Sequence, residues 1–513
     1  MDKLKQVFLS LSRTEIRYLK NYLSAFHNKG TNKALEFVEL MEAHPEMPYS
    51  EIAERLYGDP RSKAFLMLKN RLTEKVLETL SLSINFYNNP AFTEDPAAFA
   101  SIDLHKQMIY ANLLRRRGLE ELAREAYEKV VEQATLYAVP EFRLQALLTL
   151  RNLSHSFEEQ QGRLKVEIDA ALEAYRTDII GSGINEGFQA LSRGNASITP
   201  ELRTVLNDAI EELSARLAMH YSLRAHYYLL NLRLVQLKDR NDIPASREVL
   251  QELIHLVADN VSLQSKNRRG TPHYQLAILE IKCFNFKTAR QAAAEAMKQF
   301  PERKTNYLNA AVVFIFACIF QGDLATAHDV LEKLAWFREQ QFRKRYVEIV
   351  SYLASCISFL EGSLRQAYDL LGEMSDLNSD KSGWNQFLRI HELIILMDMG
   401  HMDLASSRIE AMRKHIQRYK PEPRIAQIHR YLVLLEKHSF QFHAADPEMN
   451  ALLDELSRDD TWSAMGSEVI RFDVWVRAHK AGEPFYPVLL RSLATISPED
   501  HAGDLTARSA PAQ

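Results

Sequence analysis

The sequence predicts an all-α fold: a stack of antiparallel helical hairpins behind a separate N-terminal helical domain. Three observations carry it. Between Thr305 and Ser407 one skeleton recurs three times: a long apolar helix, a turn glycine, then an amphipathic helix. The glycines, Gly322, Gly362 and Gly400, lie 40 and 38 residues apart, and each is followed five residues later by an alanine, Ala327, Ala367 and Ala405. A period of this size marks a repeat architecture. Finally, 513 residues hold only 17 Gly and 17 Pro, so little interrupts helices over long stretches.

The glycine–alanine pairing has a direct cause. A chain reversing at a helix C-terminus often needs a residue with φ > 0, which glycine adopts at little cost. The alanine lies on the second helix where the two axes approach, and a larger side chain would push them apart. The stretch QGDLATA, 321–327, closely resembles the turn of the tetratricopeptide repeat, including its aspartate. The resemblance covers most of 100–418. Arg117-Gly118-Leu119 through Ala123 and Tyr127 makes another unit. Residues 283–301 make a fifth, in which Phe284 replaces the turn glycine, Ala289 keeps the packing alanine and Pro301 ends the second helix. The spacings exceed the family period of about 34 residues, and the family's first-helix signature is mostly missing. These are tetratricopeptide-like units with lengthened helices. The resemblance implies a right-handed superhelical α-solenoid over 97–496, working as a non-catalytic protein–protein interaction scaffold or adaptor.

Composition narrows the function classes. The chain is 46% apolar and 25% charged, ordinary for soluble material. A formal charge of −4 is too small for bulk attraction to nucleic acid or membrane. Three cysteines, Cys283, Cys318 and Cys356, form no CxxC and read as buried free thiols in a reducing compartment. The N-terminus is amphipathic and charged, without the apolar core of a signal peptide. The most apolar run, Tyr307 to Phe320, is shorter than the roughly 20 residues that span a bilayer. A cytoplasmic location without a membrane span is expected.

Along the chain, residues 1–89 read as the N-terminal helical domain. Ser12-Arg13-Thr14-Glu15 fits a capping box. Helices are predicted over Lys33 to Ala43, Ser50 to Tyr57 and Ser62 to Phe86, with a sharp turn at Gly58-Asp59-Pro60. Residues 50–72 invite a helix-turn-helix reading. Against it, Gly58 comes one residue late, and the second helix opens on Phe65-Leu66-Met67-Leu68, where a base-reading helix offers polar side chains. Lys63, Lys69, Arg71 and Lys75 are expected on a solvated face, so the domain reads as a docking or capping unit. The alternative is a cytoplasmic transcription regulator that binds DNA through residues 50–75 and senses a partner with its repeats.

Two prolines between Asn88 and Pro96 mark a linker. Hairpins follow: Gln107 to Arg117 with Glu120 to Tyr137, and Glu141 to Glu159 with Leu164 to Tyr175. The glycines of 181–194 follow a helix and lack the lysine of a phosphate loop, so an ordinary loop is expected there. A helix starts at Pro200, residues 221–237 and 244–258 form a degenerate hairpin, and 266–270 read as a basic loop. After a break at Lys420-Pro421-Glu422-Pro423, helices continue to Leu493. The tail, 497–513, is expected to be disordered.

The sequence holds no HExxH, GxSxG or Walker motif, and no cofactor or metal is expected. The basic clusters Arg115-Arg116-Arg117, Arg343-Lys344-Arg345 and Arg413-Lys414 lie near helix ends, where cations suit the dipole. They leave an acidic-partner patch open. The resemblance places a concave surface on the first helix of each repeat. Its positions are Val312, Phe316, Ile319 and Phe320 before Gly322; Tyr352, Cys356, Phe359 and Leu360 before Gly362; and Ile390, Ile394 and Met397 before Gly400. Family members that clamp an acidic tail use lysine, arginine and asparagine at such places, so that partner class is not expected. Nearly all these residues are apolar, and so apolar a patch is rarely left open to water. The groove is therefore expected to be filled, by closure onto its own chain or by an apolar partner segment such as a helix.

Overall fold

The computed structural model describes residues 2–25, 32–83, 96–153, 158–192, 198–334, 336, 344–372, 384–418, 422–458, 462 and 468–498. Regular structure among them is helical, with no strand. Contacts divide the chain into two compact units, Met1–Ala126 and Tyr127–Gln513. Most of the expected linker, 84–95, and all but the first two residues of the expected tail lie outside the described residues.

The first unit opens with α1 (Lys3–Leu9), α2 (Arg13–Ala25), α3 (Lys33–Ala43), α4 (Tyr49–Tyr57) and α5 (Lys63–Ser83). The predicted capping box is formed. The Glu15 amide donates to Ser12 Oγ at 3.3 Å and the Ser12 amide to Glu15 Oε2 at 2.7 Å. Leu4, Phe8, Leu19, Phe37, Ile52, Ala53, Leu72 and Val76 make one buried core shared by the five helices. Two of the cations weighed for phosphate contact are paired within the unit: Lys69 with Asp2 at 2.7 Å and Lys75 with Glu78 at 2.8 Å. Then come α6 (Pro96–Arg116) and α7 (Glu120–Leu136), which runs through the division.

The second unit continues with α8 (Pro140–Leu153), α9 (Glu158–Ser192), α10 (Pro200–Met219), α11 (Leu223–Asp239), α12 (Ile243–Asp259), α13 (Lys266–Lys282) and α14 (Phe286–Gln299). The next four helices are α15 (Thr305–Gln321), α16 (Leu324–Lys333), α17 (Lys344–Leu360) and α18 (Leu364–Gly372). The last six are α19 (Trp384–Asp398), α20 (Met402–Arg418), α21 (Pro423–Lys437), α22 (Pro447–Arg458), α23 (Phe472–Ala481) and α24 (Phe485–Ala494). Successive helices pack on one another, as in a solenoid.

The turns repeat in atomic detail. Gly322, Gly362 and Gly400 are left-handed, with φ of 85°, 81° and 77°, and Gly118 and Phe284 share the conformation at 74° and 59°. In each case the following amide reaches back to a carbonyl five residues earlier. Examples are Asp323 to Cys318 at 3.0 Å, Ser363 to Ser358 at 2.8 Å and Asn285 to Glu280 at 2.9 Å. This closure satisfies carbonyls that the helix end leaves without partners. The alanines five residues on, Ala123, Ala289, Ala327, Ala367 and Ala405, have no exposed surface.

The same left-handed turn is found at further places, among them Ala138, at φ 48° with the Val139 amide donating to the Ala134 carbonyl at 2.8 Å. Asn241 is left-handed at φ 49°, with fully buried Ser246 in the alanine position. Ser439 and Gly482 are left-handed at 52° and 64°, with Phe440 bonded to Leu435 and Glu483 to Ala478. From Asn241 to Gly482 the turn residues recur every 38 to 43 residues.

Two expected loops are helical. Residues 181–192 belong to α9, although glycine weakens a helix. A side chain at Gly181 would come within 3.1 Å of Ala225, so its absence lets α9 and α11 pack closely. Residues 266–270 form the first turns of α13, where Ser265 Oγ accepts from the Arg268 amide and the Phe300 ring fills the space a Gly270 side chain would need.

Replacing Ala327 or Ala367 by leucine overpacks a point of helix approach. Each substitution is expected to lower stability by about 1–3 kcal/mol in chemical denaturation.

Candidate functional site

The inner positions gather around α15. Ten of its residues are buried, including the unbroken run Ile315 to Phe320, so it is covered on all sides. Of the groove residues expected from sequence, Phe316, Ile319, Phe320, Tyr352, Cys356, Phe359, Ile390, Ile394 and Met397 are buried, and Val312 and Leu360 are half-buried. All belong to one continuous apolar cluster with residues of α21 to α24.

The chain's own C-terminal segment lies on them. The Trp462 ring meets Phe320 edge-on at 5.9 Å and stacks on Phe284 at 5.7 Å. Phe485 lies 6.0 Å from Phe359. The Tyr486 hydroxyl donates to the Ile319 carbonyl at 2.6 Å. Leu490 reaches Gly322 so closely that a side chain there would meet it at 3.3 Å. Asp398, at the end of α19, accepts from Trp475 Nε1 at 3.1 Å and pairs with His479 Nε2 at 2.8 Å. Trp462 and the last hairpin, α23 and α24, thus lie over the first helices α15, α17 and α19 of three repeats.

A buried ionic knot holds the covering segment. Arg424, Glu468 and Asp473 are each at most 5% exposed. The Arg424 guanidinium grips both oxygens of Glu468, reaches Asp473 Oδ1 at 3.0 Å and donates to the Leu456 carbonyl at 2.8 Å. Glu468 in turn accepts from the Phe472 amide at 2.9 Å, and its own carbonyl accepts from Trp462 Nε1 at 3.0 Å. Burial pushes the Glu468 carboxyl up, against the pull of Arg424. The knot therefore sets the positions of Trp462 and the start of α23 together. Nothing in the local sequence marks these charges as buried; the signal available was the continuing repeat period.

These turns, alanines and inner helices repeat through the unit. The fold is a tetratricopeptide-like helical repeat. No protein-family model matches the chain, and no curated protein matches it. Among solved structures it is similar to the crystal structure of APC/C hetero-tetramer Cut9-Hcn1, with 13% identity over 99% of this chain and 98% of that chain, and a TM-score of 0.29.

His391 sits under the groove floor. Its ring meets Tyr352 at 5.8 Å and Phe359 at 5.5 Å. The Ser355 hydroxyl donates to the Ala367 carbonyl at 2.8 Å, which leaves its oxygen to accept from His391 Nε2 at 3.2 Å. Nδ1 is then unprotonated, and it has no hydrogen-bond partner among the described residues. Burial pushes the imidazole down to about 3, from an ordinary value of 6.5.

The pH dependence follows. The unfolded chain takes a proton on His391 near pH 6.5, whereas the folded chain resists it to about 3. Its contribution is complete above 6.5 and is lost as the pH falls below it, by up to about 1.4 kcal/mol per pH unit. Between about pH 7 and about pH 5, His391→Gln is expected to lose about 2 kcal/mol less stability than the parent in urea titrations. In the same assay Arg424→Met, which strands the buried Glu468 carboxylate while Asp473 keeps Arg471 at 2.8 Å, is expected to cost about 3–5 kcal/mol at neutral pH.

Proposed function

We propose that the chain is a non-catalytic protein–protein interaction scaffold. In this reading its inner groove serves closure, and its outer surface meets partners. One contrast supports it. The inner positions are covered by the chain itself, while large apolar side chains elsewhere are left open to water. Among the described residues most of these lie between Leu9 and Tyr221, and include Met67 at 59% exposure, Leu136 at 61%, Val166 at 70% and Met219 at 69%. Among the described residues from 222 to 498 the exposed large apolar side chains are Val261 at 37%, Leu404 at 52% and Val433 at 38%. Single exposed apolar residues are ordinary, but an excess of them in one part of a chain supports a role in association.

The compartment is read as the cytoplasm, because all three cysteines are buried free thiols. Burial pushes the Cys283 thiol up to about 11 and Cys318 up to about 12, which makes both inert. Among the described residues, no helix is long and apolar enough to cross a membrane.

Purification of the tagged chain from its native cell tests this reading. A partner is expected to co-purify in a fixed ratio, and to be lost from a Val166→Asp, Ile179→Asp variant that keeps the parent's circular dichroism and melting. A Phe316→Ser, Phe359→Ser variant is expected to unfold, since both rings are core. The reading fails if the groove variant folds and loses the partner, or if no partner is found.

A further inference from the structure

The first turn of α13, Lys266-Asn267-Arg268-Arg269, is basic and holds no carboxylate. The first turn of α15 also lacks one, and its N-cap, Lys304, makes no side-chain cap. The two turns adjoin. Asn306 Nδ2 donates to Asn267 Oδ1 at 3.1 Å, and Arg269 Nη1 donates to Gln299 Oε1 at 3.5 Å. Cations there face the positive ends of two helix dipoles, against the usual preference for acid. Lys266 is engaged within the chain, but Arg268, Arg269, Arg303 and Lys304 pair with no carboxylate among the described residues. The partners of the arginines are neutral. Arg268 Nη1 donates to the Ser262 carbonyl at 3.3 Å, and its guanidinium lies over the Tyr227 ring. Arg269 Nη2 donates to Gln264 Oε1 at 3.1 Å, and Arg303 lies over the Trp336 ring at 5.0 Å. Such contacts orient a guanidinium without neutralising it. Beside Arg268, Ser262 is 2% exposed, and its Oγ has no hydrogen-bond partner among the described residues. Glu295 is taken by Lys298 at 2.6 Å. Asp259 and Glu302, both exposed, flank the cations in sequence without pairing to them.

We propose that this basic edge binds a phosphoserine or phosphothreonine carried on a segment of a partner protein. The inference rests on the scaffold reading above and names the recognition chemistry for it. A phosphate on a side chain brings nearly two charges and three acceptor oxygens at neutral pH. It is answered by guanidinium forks and by helix N-terminal amides. Arg268, Arg269 and the uncapped start of α15 bring both together, and the partnerless Ser262 hydroxyl adds a donor beside Arg268. Bound there, the anion also reverses an unfavourable charge at two helix ends. Charge decides among other anions. A nucleic-acid strand binds by having phosphates neutralised along its length. Here the cations occupy two adjoining turns, and Asp259 and Glu302 repel a continuing row of phosphates. A broad anionic membrane meets the same two carboxylates. A single phosphate needs only the cations between them.

The test uses the full chain, immobilised, and synthetic peptide pools with randomised flanks around a fixed central phosphoserine, serine or glutamate. Retained peptide is counted by mass spectrometry, and phosphatidylserine vesicles are run in parallel. The phosphoserine pool is expected to be retained about tenfold above the serine and glutamate pools. Arg269→Glu with Lys304→Glu is expected to abolish that difference. Lys282→Glu with Lys287→Glu, which changes the net charge equally away from this edge, is expected to keep it. Both variants are expected to melt like the parent. The proposal is overturned if the phosphoserine pool is not enriched, if the glutamate pool matches it, or if the first variant retains it like the parent. Vesicles that bind through Arg269 and Lys304 where the peptides do not also overturn it. Failure here, with a native partner still co-purifying, removes the phosphate site and leaves the scaffold. Enrichment without any native partner removes the scaffold as a cellular role.

Discussion

A helix that is apolar all round has to be covered all round, and α15 imposes that demand on the second unit. In an open stack of hairpins the first helices would face a water-filled groove. Here the run Ile315 to Phe320 is wholly buried, so no face of it can look onto water. Neighbouring hairpins cover its flanks, and the segment from Trp462 through α24 covers the rest. The extra length of the repeats suits this demand, because longer first helices offer more apolar surface for the returning chain to seal.

Sealing needs position as well as apolar area. A cluster of aromatic rings alone tolerates several packings, whereas a buried guanidinium with two carboxylates tolerates one. Such knots add little net stability compared with apolar replacements, because desolvation offsets attraction. Their value here is register: Arg424 of α21 ties Glu468 and Asp473 to the Leu456 carbonyl, so the chain entering α23 arrives at one height on the groove. Asp398 adds a second polar fastening to Trp475 and His479. The groove floor is strained in a compatible sense. Phe284 stands in a left-handed turn where the next three repeats use glycine, and its stacking on Trp462 offsets that conformational cost.

The repeat skeleton was legible because its two requirements, a left-handed residue and a small buried one, usually select glycine and alanine. Where other residues meet them the signal fades: Asn241 adopts the turn and Ser246 is small enough for the crossing. Gly181 misled for the opposite reason, since close approach to Ala225 turns a poor helix former into a useful one. The apolar character of the groove was written in its residues. What covers it was not, because Trp462 and Tyr486 lie more than a hundred residues from the positions they meet. The charges of Arg424, Glu468 and Asp473 also look like surface charges until tertiary contacts bury them.

The closure also sets an order of events during synthesis. An open solenoid can consolidate each repeat as it leaves the ribosome, because each repeat needs only its neighbours. This one cannot. When α15 emerges, the segment that seals it is still more than a hundred residues from being translated, which at cellular elongation rates is on the order of ten seconds. Throughout that interval the nascent chain carries an unsealed apolar trough of the kind that chaperones recognise. The last hairpin thus completes the core of repeats that left the ribosome well before it.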